Sequence, residues 1–439
     1  MNTTNEVIII GAGVSGLEAG RALAEAGRRV VILEARDRIG GRIWTRRIPL
    51  AGGASLAVEL GAEFIHGLPE ESWSLIREAN LGTYELGGTS WSYSNGRIHE
   101  GSEQHRGTER VLDDMMQWMA RQPSGADLSF AEYLKLTGVK GSAAQAASNY
   151  VEGFNAADQS RLSVAALVKQ QHAEAAINTD RLFRLEEGYA DIPTYLAERF
   201  VGAGGELKLG APVTKITWRR GEVGVQFQDA GGVSQLRANR ALITVPLGVL
   251  QAEVIEFVPR PNAVLRHANR LAMGAAMRLI LLFKEKFWTE HPDLSFLITP
   301  SERPSTWWTP MPHETPMLTA WAGGPKAASL LRLIASDGNA GALLDQALST
   351  LARIFGRPLA DLRSRLISWH LHDWQRDPYS RGAYSYVPVD AWDAPHQLRG
   401  PFEDTLYFAG EHTDTSGHWG TVHAALATGT AAAHQLLGE

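Results

Sequence analysis

Four apolar residues in an unbroken run, Val7–Ile10, read as a short strand covered on both faces. Gly11, Gly13 and Gly16 follow at once, and then an Ala-rich segment of helical character that ends near Gly27. A second apolar run, Val30–Leu33, delivers Glu34. The same texture returns twice. Pro212–Trp218 and Val223–Phe227 read as strands about a turn at Arg220-Gly221, and Ala241–Val245 as a further strand before Pro246. Near the C-terminus, Leu406–Gly410 reads as a strand and Thr421–Leu437 as a helix. The intervening blocks differ. Residues 70–180 read as mostly helical, with amphipathic stretches at Ala143–Val151 and Ala165–Ile177. Residues 275–370 mix strand-like Leu279–Phe283 and Met317–Trp321 with helical Ala327–Ile334 and Ala342–Phe355, and gather Trp288, Trp307, Trp308, Trp321 and Trp369. There is no internal repeat, low-complexity tract or long linker. The alternation predicts a discontinuous α/β nucleotide-binding domain interleaved with a second, α+β domain.

Each part of the first block has a physical task. The pattern G-x-G-x-x-G between a strand and a helix permits a tight turn and a close approach of backbone to a pyrophosphate. The helix N-terminus presents unpaired N–H groups and a positive dipole end to that phosphate. Glu34, twenty-three residues after Gly11, stands in register to accept hydrogen bonds from both hydroxyls of an unphosphorylated ribose. Ala35-Arg36 and Gly40-Gly41-Arg42 continue from the acid. A second glycine pair with an arginine offers another anion nest and a bidentate phosphate donor, which an ordinary nicotinamide-binding domain does not need.

Composition narrows the rest. A chain of 439 residues, 44% hydrophobic and 21% charged, fits a globular enzyme of two domains. A net charge of −6 argues against a nucleic-acid footprint. The absence of cysteine excludes disulfides, thiol catalysis and cysteine-linked cofactors. The polar start MNTTNE, the lack of an apolar run near ~20 residues and the polar end at Glu439 lead us to expect a cytoplasmic protein with no membrane partner.

Read in order, GAGVSGLEAG, LEARDRIGGRIWT, ELGAEFIHG, TVPLGVL, LAMGAAMRLILLFKEKFW, DPYSRGAYSYV and FAGEHTDTSGHWGTVHAALATG span essentially the whole chain. Together they resemble the flavin-dependent amine oxidase superfamily, which holds monoamine oxidases, polyamine oxidases and lysine-specific histone demethylases. The resemblance implies a Rossmann-like FAD domain of the GR2 type, built from residues 1–69, 182–263 and 373–439. A substrate domain would take residues 70–181 and 264–372. It implies non-covalent FAD held by Gly11, Gly13, Gly16, Glu34, Ala35, Arg36, Gly41 and Arg42, with Gly61, Ala62, Glu63 and Phe64 lining the same site. Val213 would meet the adenine through its backbone. Gly410 and Glu411 would lie beside the ribityl-pyrophosphate, and Gly420, Thr421 and Val422 would begin a helix aimed at the flavin ring. A helix N-terminus there stabilises the negative charge of reduced flavin.

On the substrate side the resemblance assigns Tyr384 to one wall of an aromatic amine cage. Thr421 stands where monoamine oxidases place the second wall, so the cage is half open, with His418 and Trp419 close enough to narrow it. Trp374 would pack near the flavin. His66 stands where polyamine oxidases carry a histidine facing the substrate, although a lone histidine is often structural. Amino-acid oxidases carry an arginine in that stretch, where this chain has Glu63 and Phe64. The main departure is Arg278, at the position of the family's lysine that assists reaction with dioxygen. Lys284, six residues on, lies too far along an extended strand to replace it, and Arg does not release a proton. A lesser departure is Glu186-Glu187-Gly188, where the family favours a glycine pair.

The implied reaction is oxidation of an amine to an imine by hydride transfer to flavin N5. Hydrolysis and reoxidation by dioxygen or another acceptor would follow. Such chemistry needs a dry pocket rather than a strong base, and no metal cluster is required. Three readings stay open: an amine oxidase or dehydrogenase, with a polyamine-like substrate favoured; a flavin desaturase or isomerase of a non-amine; and a non-catalytic flavin scaffold. A homodimer is a family expectation.

Overall fold

The strand Asn5–Ile10 sits inside a parallel sheet, paired to Val30–Leu33 on one side and to the end of the long strand Gly232–Ile243 on the other. Glu206–Lys208 extends the sheet beyond Val30–Leu33, and Leu406–Phe408 adds to the parallel part of Gly232–Ile243. The first half of that long strand turns antiparallel against Glu222–Asp229, which continues to Val213–Arg219. The computed structural model describes residues 5–49, 55–101, 103–123 and 125–438, with only the backbone of 103–106. Met1–Thr4 and Glu439, on which the reading of the termini partly rested, lie outside the described residues.

The chain divides into two compact units, one of residues 1–84, 169–273 and 375–439, the other of 85–168 and 274–374. In the first, the helices Val14–Glu25, Asp191–Gly202 and Val422–Leu437 bury Leu17, Leu23, Leu196, Phe200, Leu426 and Leu436 in one core with Val7, Ile9 and Ile32. Small residues permit the close approach. A Cβ on Gly429 would run into the Ser15 carbonyl, and one on Gly20 would meet Ile32 and Phe200. This is a Rossmann-like arrangement, interrupted twice by the second unit.

The second unit is built on a seven-stranded sheet in the order Leu366–Leu371, Ala276–Phe283, Met317–Gly323, Thr306–Trp308, Leu294–Ile298, Thr89–Ser94 and Arg97–Glu100. Every residue of Ala276–Phe283 is buried. Its core joins Leu279, Leu281 and Phe283 to Trp288, Trp307 and one face of the helix Gly341–Ile354, which supplies Leu343, Ala347, Leu348 and Leu351. The strands Thr89–Ser94 and Arg97–Glu100 depart from the mostly helical reading of residues 70–180. The turn between them carries Asn95 and Gly96, both at positive φ, a hairpin signal that the helical periodicity around it obscures. Among the described residues, no helix is long and apolar enough to cross a membrane.

Candidate functional site

The first strand hands its chain to the helix Val14–Glu25 through Gly11, which has φ +107°. A Cβ on Gly16 would collide with the Gly11 carbonyl, whereas nothing lies within 4 Å of where a Cβ on Gly13 would stand. The helix has Gly13 as its N-cap and no side chain capping it. The Ser15 hydroxyl, in its first turn, is buried without a hydrogen-bond partner. Open space over Gly13, uncapped N–H groups and an orphaned hydroxyl form a cradle that fits a pyrophosphate.

Glu34 is 4% exposed and its carboxylate closes this turn, accepting the N–H of Ala12 at 2.8 Å and of Arg36 at 2.9 Å. Backbone bonds from Ala211 to Glu34 and from Gly210 to Arg36, at 2.8 and 2.7 Å, bring the start of the Val213 strand beside the acid. Ala35 lies between these two bonded residues. The Arg36 guanidinium is neutralised by Asp377 at 2.6 Å and also donates to Ser380. Both partners lie in the DPYSRGAYSYV run, which the sequence does not tie to Arg36.

Gly40 pairs with Gly13, and Gly41 packs on the Gly13 Cα, so the second glycine pair leans on the first. Arg42 follows. Its guanidinium donates to the Ala383 carbonyl and to Glu411, both at 2.8 Å. Ala62 donates to the Arg42 carbonyl, which seats Gly61 and Ala62 alongside. The carboxylate of Glu63 is committed to a buried ion pair with Arg184, whose guanidinium lies 4.9 Å from the centre of the Phe64 ring.

Glu411 is the hub. Gly410, at φ +134°, turns the chain out of Leu406–Phe408 and places this 4%-exposed carboxylate against Arg42, the Ser385 hydroxyl at 2.5 Å and the Gly420 N–H at 3.1 Å. Burial alone would raise its pKa, but Arg42, His412 and Ser385 hold it below the usual carboxylate value. Gly420 has φ +76°, and a Cβ there would press on the Tyr384 ring, so Tyr384 lies against the start of the C-terminal helix. Thr421 caps that helix: its hydroxyl accepts from Ala424 at 3.1 Å and donates to the His418 carbonyl at 2.7 Å. Val422 is the first helical residue.

Around this cap stand three histidines. His418 and His423 meet edge to face at 4.6 Å. The Nε2 of His423 is buried without a hydrogen-bond partner. Burial pulls His66 down to about 4 and lowers His418, and it carries His423 well below the ordinary value, helped by His418 and His66. All three are neutral at pH 7. Of the two residues expected to narrow the cage, His418 packs on His423. Trp419 instead packs towards half-exposed Trp392 at 6.3 Å and donates its indole N–H to Asp414.

Arg278 and Trp374 belong to the second unit. Arg278 is 8% exposed, with its guanidinium 5.4 and 5.6 Å from the ring centres of Trp308 and Trp321. Lys284 donates to the Ser364 carbonyl at the protein surface. Trp374 is buried and meets His372 edge to face at 4.4 Å. Among the described residues, no group of three or more His, Asp or Glu is placed to hold a metal ion.

The family model for flavin containing amine oxidoreductase matches residues 14–437. The chain belongs to that family. A relative in Oryza sativa subsp. japonica, polyamine oxidase 4, is 29% identical, over 98% of this chain and 88% of its own. In fold, the chain is similar to putrescine oxidase, solved bound to putrescine, with a TM-score of 0.83 and 21% identity over 99% of both chains. It is similar too to cyclohexylamine oxidase from Brevibacterium oxydans, with a TM-score of 0.79 and 21% identity over 99% of this chain and all of that one. This flavin-containing amine oxidoreductase acts on an amine with FAD as its cofactor, and the cradle around Gly13 fits that cofactor's pyrophosphate.

Proposed function

We propose that the chain oxidises polyamines or related diamines, with the first unit as the FAD-binding domain and the second contributing to substrate binding. The observation that carries this reading is the continuous network from Arg42 through Glu411 to Gly420, with Tyr384 laid over Gly420. FAD, when bound, supplies the two-electron acceptor for a hydride leaving the α-carbon of the amine. Gly11, Gly13, Gly16 and Arg42 hold its phosphates, and Glu34 its ribose. Tyr384 offers an aromatic face to the amine. The neutral imidazoles of His66, His418 and His423 place no cation beside it, which favours the unprotonated amine that can give up hydride. Arg278 keeps a fixed positive charge but does not shuttle a proton.

Anaerobic stopped-flow absorbance of the yellow protein tests this reading. Polyamines should bleach the flavin faster than monoamines or amino acids. On mixing with air, Arg278→Lys should recover its colour at least about tenfold faster than the wild type, a barrier change of about 1.4 kcal/mol. If no amine bleaches the flavin, the reading fails.

A further inference from the structure

The five tryptophans gathered between residues 275 and 370 fall into two sets. Trp288 and Trp307 fill the core of the second unit, and Trp369 packs against it. Trp308 and Trp321 stand on the opposite face of the sheet, because their strand neighbours Trp307, Ala320 and Ala322 point into that core. Arg278 shares this face, between core-facing Met277 and Leu279. It lies directly across from Trp321 in the register, and Trp308 lies one strand further on, across from Thr319. The two indole rings are 6.0 Å apart and inclined at 45°, with the guanidinium within 5.6 Å of both ring centres. Trp321 is itself anchored. Its indole N–H donates to the Gly153 carbonyl at 3.1 Å. Gly323 comes so close to the end of the helix Gly141–Asn155 that a Cβ there would strike the carbonyls of Glu152 and Gly153.

We propose that Trp308 and Trp321 are positioning residues for Arg278, holding its charge at one fixed place. This rests on the reading of Arg278 given above. An arginine guanidinium is flat, delocalised and weakly hydrated, so it can lie against two indoles at once. A lysine ammonium is a compact, strongly hydrated point charge and gains less from such a pair. Arg278 is 8% exposed and Trp308 4%, so the attraction acts with little screening by solvent. The arginine at position 278 and the tryptophans at 308 and 321, separate oddities in the sequence, thus answer one another in the fold. A side chain with many rotamers is confined by two rigid rings, one of them tied to a neighbouring helix.

The test is a double-mutant cycle on the holoprotein with Arg278→Met, Trp321→Leu and the two combined. In urea unfolding, the double variant should lose less than the sum of the single losses, by at least about fivefold in the unfolding equilibrium constant. The cavity left by Trp321→Leu is common to both arms and cancels. Trp321→Phe keeps an aromatic face and should keep part of the coupling. Losses that simply add overturn the inference. The second readout is the recovery of flavin colour in air after anaerobic photoreduction with EDTA. Arg278→Met and Trp321→Leu should shift its rate in the same direction, by at least about threefold, and the double variant no further than Arg278→Met alone. A rate that responds to Arg278→Met and not to Trp321→Leu, or to neither, overturns the positioning role. Light rather than an amine reduces the flavin here, so both results stand even if no amine is oxidised.

Discussion

Glu411 and Glu174 are both enclosed carboxylates of the first unit, and their surroundings push them in opposite directions. Glu411 receives a guanidinium, a hydroxyl and a backbone N–H, and its pKa is lowered. Glu174 receives two neutral amides, and its pKa rises to about 7. A charge answered within the fold holds chain segments together. A charge left unanswered favours the protonated form.

The largest effect should follow from breaking the answered charge. Glu411→Gln removes the partner of Arg42 and should cost about 2–3 kcal/mol, below the range for a wholly buried pair because Arg42 reaches solvent. Urea unfolding measures it, and the flavin content of the purified protein should fall with it. Because the folded pKa is lowered, this contribution is complete above about pH 4.5 and is lost as pH falls through the folded value.

Glu174→Gln should act in the opposite sense. A raised carboxylate pKa means that the folded state binds the proton more tightly, so ionisation destabilises as pH rises from about 4.5 to about 7. The variant should be more stable than wild type at pH 8 by at most about 3 kcal/mol, and equal to it below about pH 4.5. Thermal unfolding at the two pH values checks the sign. A stabilisation that does not change with pH would remove the contrast between the two acids.

The smallest effect is expected at the cap beside the hub. Thr421→Ala deletes the hydroxyl that accepts from Ala424 and should cost about 1 kcal/mol in urea unfolding. A much larger loss would mean that Thr421 supports more than its own helix.

Much of the first unit is legible in the sequence because its signals are local. A strand, three glycines and a helix occupy consecutive residues, and the spacing to Glu34 follows from that geometry. The strands Thr89–Ser94 and Arg97–Glu100 escape the helical reading of their block although Asn95-Gly96 marks their turn, because neighbouring helical stretches dominate the pattern. Other pairings are not written in any local pattern, even where a partner sits in a motif. Asp377 meets Arg36 across 341 positions, and Arg184 meets Glu63 only when Leu182–Leu185 pairs with Ile65–His66. Glu174 is invisible for a different reason. Its distinction is the lack of a cationic partner among the described residues, and only the folded chain reveals which charges are left without one.

The arginines at 36 and 42 find their carboxylates 341 and 369 residues later. At a synthesis rate of about 5–20 residues per second, the nucleotide cradle emerges from the ribosome roughly 20–70 s before those acids exist. During that interval the segment after Val30–Leu33 carries both guanidiniums without the acids that bind them, and the first helix lacks the C-terminal helix that packs on it. A nascent chain halted before Asp377 should therefore hold nucleotide poorly, so cofactor loading belongs to the end of translation.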